Sequence, residues 1–158
     1  MRVQVQEHAF DPGSELGGFH AGRTDAGALV SFSGIVRSDD QAPIALLEIE
    51  HYPGMTEKAI RGIATEAVER WQLMDCLVIH RFGRLKPGDH IMMVATLAKH
   101  RAEAFEAAEF LMDYLKSRAP FWKREHSASG KLWVASRDKD EATMERWVRQ
   151  EAGEADCG

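Results

Sequence analysis

Short turns separate most of the predicted strands, and this spacing constrains the fold more than any other feature of the sequence. Turn-forming clusters follow the predicted strands at 28–37, 76–83 and 121–126. Strands joined by a short turn pair antiparallel, whereas parallel neighbours need a crossover of about a dozen residues or more. The order strand, strand, strand, helix, two strands, helix, two strands, helix therefore predicts an α+β fold. We expect antiparallel sheets and three helices in a hammerhead-like single domain.

The individual elements follow from residue spacing. Alternation and β-forming residues predict strands at 3–7, 28–37, 44–52, 76–83, 90–98, 121–126 and 131–137. We expect 28–37 to form a hairpin with 44–52, and 90–98 to pair back on 76–83. Amphipathic spacing predicts helices at 57–71, with Thr56 as N-cap, at about 100–118, and after Asp138. Residues 10–27 look like loop with room for one short helix.

Composition places the chain among ordinary soluble globular proteins. It has 158 residues, of which 44% are hydrophobic and 28% charged. A formal net charge of −5 argues against bulk attraction to nucleic acid, and no apolar run approaches the ~20 residues of a membrane span. Cys76 and Cys157 form neither a disulfide framework nor a zinc pattern, which favours the cytoplasm. We expect one domain over 1–150 and a flexible tail over 151–158.

The stretch from 110 to 126 changes from helix to strand and gathers cations among aromatic side chains. Pro120 disfavours the α region at Ala119, so the second long helix should end near Arg118. Phe121 and Trp122 favour a strand directly afterwards. Basic side chains flank this break on both sides. The pattern indicates an anion-binding pocket walled by aromatic residues.

One stripe of the helix before the break ends on a lysine. At 100° per residue the stripe comprises Arg101, Phe105, Ala108, Met112 and Lys116. Lys116 then lies at the border of an apolar face, where partial burial makes an amine usable as a base or nucleophile. The alternative is a lysine that extends into solvent at a helix C-terminus, where the helix dipole favours a cation.

Further cations are candidates for anion contacts, and each has an ordinary alternative. Lys123-Arg124-Glu125 lie in the strand after Pro120, but could be the charges of an edge strand. Arg37 ends a strand, and His100-Arg101 precede a helix N-terminus; both could be plain surface positions. His51 and His80 are better explained as hydrogen-bonded structural histidines. No nucleotide-binding, zinc-protease, serine-hydrolase or CxxC motif is present, so we expect no metal and no cofactor.

Together, these segments resemble the family of the large catalytic subunit of molybdopterin synthase. The resemblance covers roughly residues 28–137 and rests on the segments 27–37, 50–55, 80–83, 100–105, 112–116 and 120–125. The last three segments, in this order and spacing, are highly specific. Where the family has a lysine between Gly34 and Val36, this chain has Ile35, which can contribute only backbone or nothing.

The resemblance implies a sulfur-transfer reaction that needs no metal. Members of the family convert cyclic pyranopterin monophosphate to molybdopterin by installing a dithiolene. The sulfur arrives as a thiocarboxylate on the C-terminal Gly-Gly of a small ubiquitin-like partner, whose tail threads into a pocket of the large subunit. Two large and two small subunits form a heterotetramer.

The resemblance also implies roles for individual residues. Lys116 would be the catalytic lysine and Lys123 the second, near the terminal carbonyl of the partner. The implied substrate-binding set is Arg37, His100, Arg101, Arg124, Glu125, Arg137, Ile35 and Val36. The partner's tail would lie against Phe121, Trp122 and Met112.

Helix geometry predicts that the site is shared between two copies of the chain. Arg101 and Lys116 lie on one helix face, about 22 Å apart at 1.5 Å per residue, too far for one phosphorylated pterin. We therefore expect a homodimer in which His100, Arg101 and Arg137 of one chain complete the site of the other. An alternative function remains open: a non-catalytic module that binds the glycine-terminated tail of a small partner.

Overall fold

The computed structural model describes residues 1–128, 130–134 and 147. This part of the chain forms, in order, β1 (Arg2–Gln6), α1 (Pro12–Phe19), β2 (Ala28–Ile35), β3 (Ile44–His51), α2 (Met55–Arg70), β4 (Asp75–Arg81), β5 (Gly83–Leu85), β6 (His90–Ala98), α3 (Arg101–Ser117), β7 (Phe121–Ser127) and β8 (Gly130–Val134). The α+β class is confirmed. None of these helices is long and apolar enough to cross a membrane. The helix predicted after Asp138, the strand predicted beyond Val134 and the predicted tail at 151–158 lie outside the described residues.

The strands form two four-stranded sheets. The first has the order β1-β4-β6-β2, and the second has the order β5-β3-β7-β8. Antiparallel pairing dominates, and both the β4–β6 pair and the β7–β8 hairpin are confirmed. One edge departs from the expected antiparallel pairing, because β1 pairs parallel with β4, with Val3 opposite Val78. Short turns constrain only successive strands, and β1 reaches β4 through a long connection.

The predicted hairpin of β2 with β3 is also wrong. β2 pairs with β6, placing Phe32 opposite Val94, whereas β3 pairs with β5 and β7 in the other sheet. The end of β2 is tied to the turn between β5 and β6 instead. The Val36 N–H donates to the Asp89 carbonyl at 2.9 Å, and the Val36 carbonyl accepts from the Gly88 N–H at 2.8 Å. The chain that follows Val36 then enters β3 of the second sheet.

Helices α2 and α3 cover one face of the first sheet. The core between them contains, among others, Ile60, Ala64, Val78, Phe110 and Leu111, all nearly or fully buried. Helix α2 starts earlier than predicted. Its N-cap is Gly54, with a φ of 79°, not Thr56. Thr56 lies inside the first turn, where its hydroxyl accepts from the Tyr52 N–H at 3.2 Å and donates to the Tyr52 carbonyl at 2.9 Å.

The two sheets meet around the end of β4. The chain passes from β4 through Phe82 directly into β5 of the other sheet, with Gly83 at a φ of 84°. The His80 ring of β4 stacks on the Phe121 ring of β7, with centroids 3.7 Å apart and planes at 15°. The junction of the sheets therefore lies beside the last turn of α3 and the start of β7, which places the helix-to-strand break next to both sheets.

Candidate functional site

A pocket of about 330 Å³ opens at the junction of the two sheets. Residues 32–35 of β2, Ile91 and Met92 of β6, and Met112 of α3 form much of its apolar wall. Its cations come from the two sides of the predicted break: Lys116 from α3 and Lys123 from β7. A pocket with apolar walls and two converging ammonium groups suits a ligand that has both an apolar ring and anionic groups.

The end of α3 fixes the position of Lys116. The helix stops at Ser117, as predicted, and the N–H groups of Arg118 and Ala119 both donate to the Tyr114 carbonyl, at 2.9 and 3.0 Å. The Thr56 hydroxyl contacts the Pro120 carbonyl at 3.4 Å and so links this break to α2. Lys116 is exposed in the last turn, where the helix dipole favours its charge. Lys123 is half-buried, so the partial burial expected of Lys116 describes Lys123 better.

Strand alternation separates Lys123 from its neighbour Arg124. Lys123 faces the pocket, while Arg124 lies on the other face of β7, 3.6 Å from Glu48 and 3.4 Å from Glu50. The Arg124 guanidinium also stacks over the Trp133 ring at 4.0 Å. Because β7 lies between β3 and β8, the alternative of a charged edge strand is wrong. Within this chain, Arg124 belongs to an ion-pair cluster outside the pocket.

Several other predicted substrate residues are also outside the pocket. Glu125 lines a separate cavity of about 450 Å³ near the β7–β8 turn. Val36 is buried in a small core beneath the second sheet, and Arg37 is exposed in the loop after β2. Ile35 is the exception. It follows a shift of strand register between Gly34 and Ile35 and lines the pocket, an apolar contribution that the family resemblance did not assign to it.

The cations before α3 lie far from the lysines. His100 is the N-cap of α3 and Arg101 its first residue, and both are exposed. Arg101 and Lys116 therefore occupy opposite ends of one continuous helix, about 22 Å apart. Arg137 lies outside the described residues. Among the predicted tail contacts, Met112 lines the pocket, Phe121 lies behind it under His80, and Trp122 is on the opposite face of β7, packed edge-on against Tyr52.

His80 is a pocket residue that the sequence reading treated as purely structural. Its hydrogen bond is as expected, because Nδ1 lies 2.8 Å from the Arg81 carbonyl oxygen. It is 2% exposed, and burial, with a smaller effect from the charge of Lys123, lowers its pKa to about 3. His80 also lines the pocket beside both lysines. In the sequence, the only hint of this role was the position of a histidine directly after the apolar run of β4.

A shallow groove of about 410 Å³ continues the pocket along β2 and α3. The two share Phe32, Met112 and Lys116. At its outer end Phe105 is 63% exposed. The stripe of Phe105, Ala108, Met112 and Lys116 predicted on this helix therefore forms one continuous surface. Within the described part of the chain, no three metal-ligating side chains come together in a way that could hold a metal ion.

The fold and the pocket define an α+β protein class whose pocket is lined by two lysines, Lys116 and Lys123. Comparison with known proteins identifies the family. A family model described as MoaE protein matches residues 5–118. The molybdopterin synthase catalytic subunit of Cereibacter sphaeroides is 60% identical over 93% of this chain and 100% of its own. The chain belongs to the MoaE family of molybdopterin synthase catalytic subunits.

Solved structures agree with this assignment. A molybdopterin biosynthesis MoaE protein from Burkholderia ambifaria has a TM-score of 0.78 and 48% identity, covering 92% of this chain and 97% of that one. A complex of subunits 1 and 2 of the molybdopterin-converting factor from Helicobacter pylori shares the fold, with a TM-score of 0.73 at 22% identity, covering 85% of this chain and 91% of that one. The chain is thus an enzyme of molybdopterin synthesis, a sulfur-transferring step of molybdenum cofactor formation.

Proposed function

We propose that this chain transfers sulfur from the C-terminal thiocarboxylate of a small ubiquitin-like partner to cyclic pyranopterin monophosphate, forming the dithiolene of molybdopterin. The observation that carries the proposal is the pairing of Lys116 and Lys123 in one pocket with an apolar wall. The chemistry asks for both features. A pterin ring needs apolar walls, while its phosphate and the partner's thiocarboxylate need cations.

The two lysines differ in their surroundings, which suits different roles. Lys123 is half-buried beside His80, so its ammonium can stabilise the negative charge that develops on the partner's terminal carbonyl. Lys116 is exposed at the shared edge of pocket and groove, where it can exchange protons with solvent during the reaction. We propose that both are catalytic.

The groove between β2 and α3 supports a path for the partner's tail. It leads from the exposed Phe105 to Lys116, and its lining combines small and apolar side chains with the carboxylates of Glu109 and Asp113. Its width suits a glycine-terminated peptide. The Helicobacter pylori protein of the same fold was solved as a complex of subunits 1 and 2, which supports the proposal of a partner subunit for this chain. Deleting the partner's last two residues should abolish turnover and weaken subunit association far less. Equal loss of both would make the tail a docking element only.

We further propose that two copies of the chain complete each other's sites. The exposed His100 and Arg101 lie about 22 Å from Lys116 on the same helix, so one substrate cannot contact both ends. A homodimer would bring these cations, together with Arg137, to the pocket of its neighbour, and two small subunits would complete a heterotetramer. For the cellular location we propose the cytoplasm, since the described cysteine, Cys76, is buried and unpaired.

Reconstitution tests the function. The purified chain, the thiocarboxylated partner and cyclic pyranopterin monophosphate should yield molybdopterin without added metal, detected by mass spectrometry. A matched reaction with the unmodified carboxylate partner should yield none. The competing function, a module that only binds the partner's tail, predicts tight binding and no product in either reaction.

A further inference from the structure

His80 has a fixed orientation and a fixed protonation state at the back of the pocket. A carbonyl oxygen only accepts hydrogen bonds, so the 2.8 Å contact from Nδ1 to the Arg81 carbonyl places the proton on Nδ1. The neutral ring then carries a lone pair on Nε2. Stacking on Phe121, with centroids 3.7 Å apart, holds the plane of the ring.

The fixed, neutral His80 ring lies close to Lys123. Phe121 and Lys123 are two residues apart on β7, so their side chains share one face of the strand. That face contacts His80 through Phe121, and both His80 and Lys123 line the pocket. The charge of Lys123 is close enough to act on the imidazole. A permanently neutral ring next to a lysine can accept a hydrogen bond without taking the proton.

We propose that His80 is a positioning residue: when the reacting groups occupy the pocket, the Lys123 ammonium donates a hydrogen bond to the unprotonated Nε2, which orients it towards the reacting carbonyl. This inference rests on the proposed function, because it assigns His80 a part in the lysine chemistry of that reaction. The burial that lowers the pKa of His80 to about 3 keeps the ring an acceptor across the physiological range.

Two substitutions separate positioning from packing. In His80→Asn the amide replaces Nδ1–H and can still donate to the Arg81 carbonyl, but it has no group at the place of Nε2. In His80→Gln the longer side chain can restore an acceptor near Nε2. We expect His80→Asn to lower kcat about tenfold with little change in KM, since about one hydrogen bond is lost. His80→Gln should recover much of that loss.

A double-mutant cycle with Lys123 provides the decisive readout. If His80 acts through Lys123, then His80→Asn should lower kcat less than about twofold in the Lys123→Ala background, measured in single turnovers. The matched control is His126→Asn. His126 also lies on β7 and has a hydrogen-bond partner, because its Nε2 is 2.8 Å from the Glu48 carboxylate. This contact lies outside the pocket, so kcat should stay at the wild-type value.

The outcomes are distinguishable from failure of the proposed function. If Lys123→Ala itself keeps wild-type turnover, the lysine mechanism fails. If Lys123→Ala loses turnover but His80→Asn does not, or if the two losses multiply in the double variant, the positioning role is overturned. Thermal unfolding and partner affinity are measured for every variant. A loss of kcat in His80→Asn that follows only from a smaller folded fraction also overturns it.

Discussion

At the scale of single residues, the burial of His80 has a consequence for stability as well as for the site. The free histidine pKa is about 6.5, and burial lowers that of His80 to about 3 in the folded chain. Above pH 6.5 neither state binds the proton. As the pH falls below 6.5 the unfolded state becomes protonated first, so His80 contributes a loss of stability that grows until about pH 3.

This effect is measurable by denaturation at two pH values. Between pH 7.5 and pH 5.0 the His80 linkage should lower the free energy of unfolding by about 2 kcal/mol. In His80→Gln that contribution is absent, so the variant should lose less stability over the same interval. Urea unfolding of both proteins at each pH provides the comparison. An identical pH dependence in the two proteins would mean that His80 is not held neutral by its surroundings.

At the scale of elements, the Trp147 side chain packs against the layer of α2 and α3. Its indole Nε1 donates to the Asp113 carboxylate at 2.8 Å. Its ring packs edge-on against Trp71 and Phe110, with centroids 5.6 and 5.5 Å away, and the Arg70 guanidinium lies over it. These contacts close the core beside both helices.

Removing this ring should therefore destabilise the fold. We expect Trp147→Ala to lower the free energy of unfolding by about 3–5 kcal/mol, the usual range for a buried tryptophan. Trp133→Ala is the matched control, because Trp133 is 51% exposed and should cost less than about 1 kcal/mol. Chemical denaturation measures both. Equal small losses would show that Trp147 adds little to the core.

The elements also show what a sequence can and cannot predict. Pro120 predicted the end of α3 within one residue of Ser117, because the restriction on Ala119 is local. The choice of sheet for β3 is not local. β3 pairs with β7, 70 or more residues later in the chain, and Val36 bonds to the distant turn at Gly88 and Asp89; no turn motif reports such contacts. The parallel pairing of β1 with β4 was missed for the same reason.

The site follows the same division. The placement of Lys116 and Lys123 on either side of one pocket follows from the break between them, and it was within reach of the sequence. The position of His80 at the pocket depends on how the two sheets meet at Phe121, so the sequence alone could not predict it. Strand alternation could have separated Arg124 from Lys123, yet only the structure shows the acidic partners Glu48 and Glu50 that hold it outside.

At the scale of the whole molecule, the separation of Arg101 and Lys116 along α3 implies that each site uses residues of two chains. Subunit exchange between two inactive variants tests this prediction. Arg101→Ala and Lys116→Ala should each be inactive as homodimers. After subunit exchange, a heterodimer carries one intact site out of two and should recover up to about half of the wild-type activity per dimer. Turnover is measured before and after exchange, with exchange itself followed by mass. Demonstrated exchange without recovery would place the whole site within one chain.

The central claim is that the pocket lysines perform the chemistry rather than only hold the partner. The most direct measurement is the single-turnover rate of molybdopterin formation for Lys116→Ala and Lys123→Ala, alongside the affinity of each variant for the thiocarboxylated partner. Lys58→Ala, an exposed lysine on α2, is the control and should behave as the wild type. We predict a loss of roughly 10²-fold or more for each pocket lysine, with folding and partner binding retained. Turnover at the wild-type rate in either pocket variant would contradict the account.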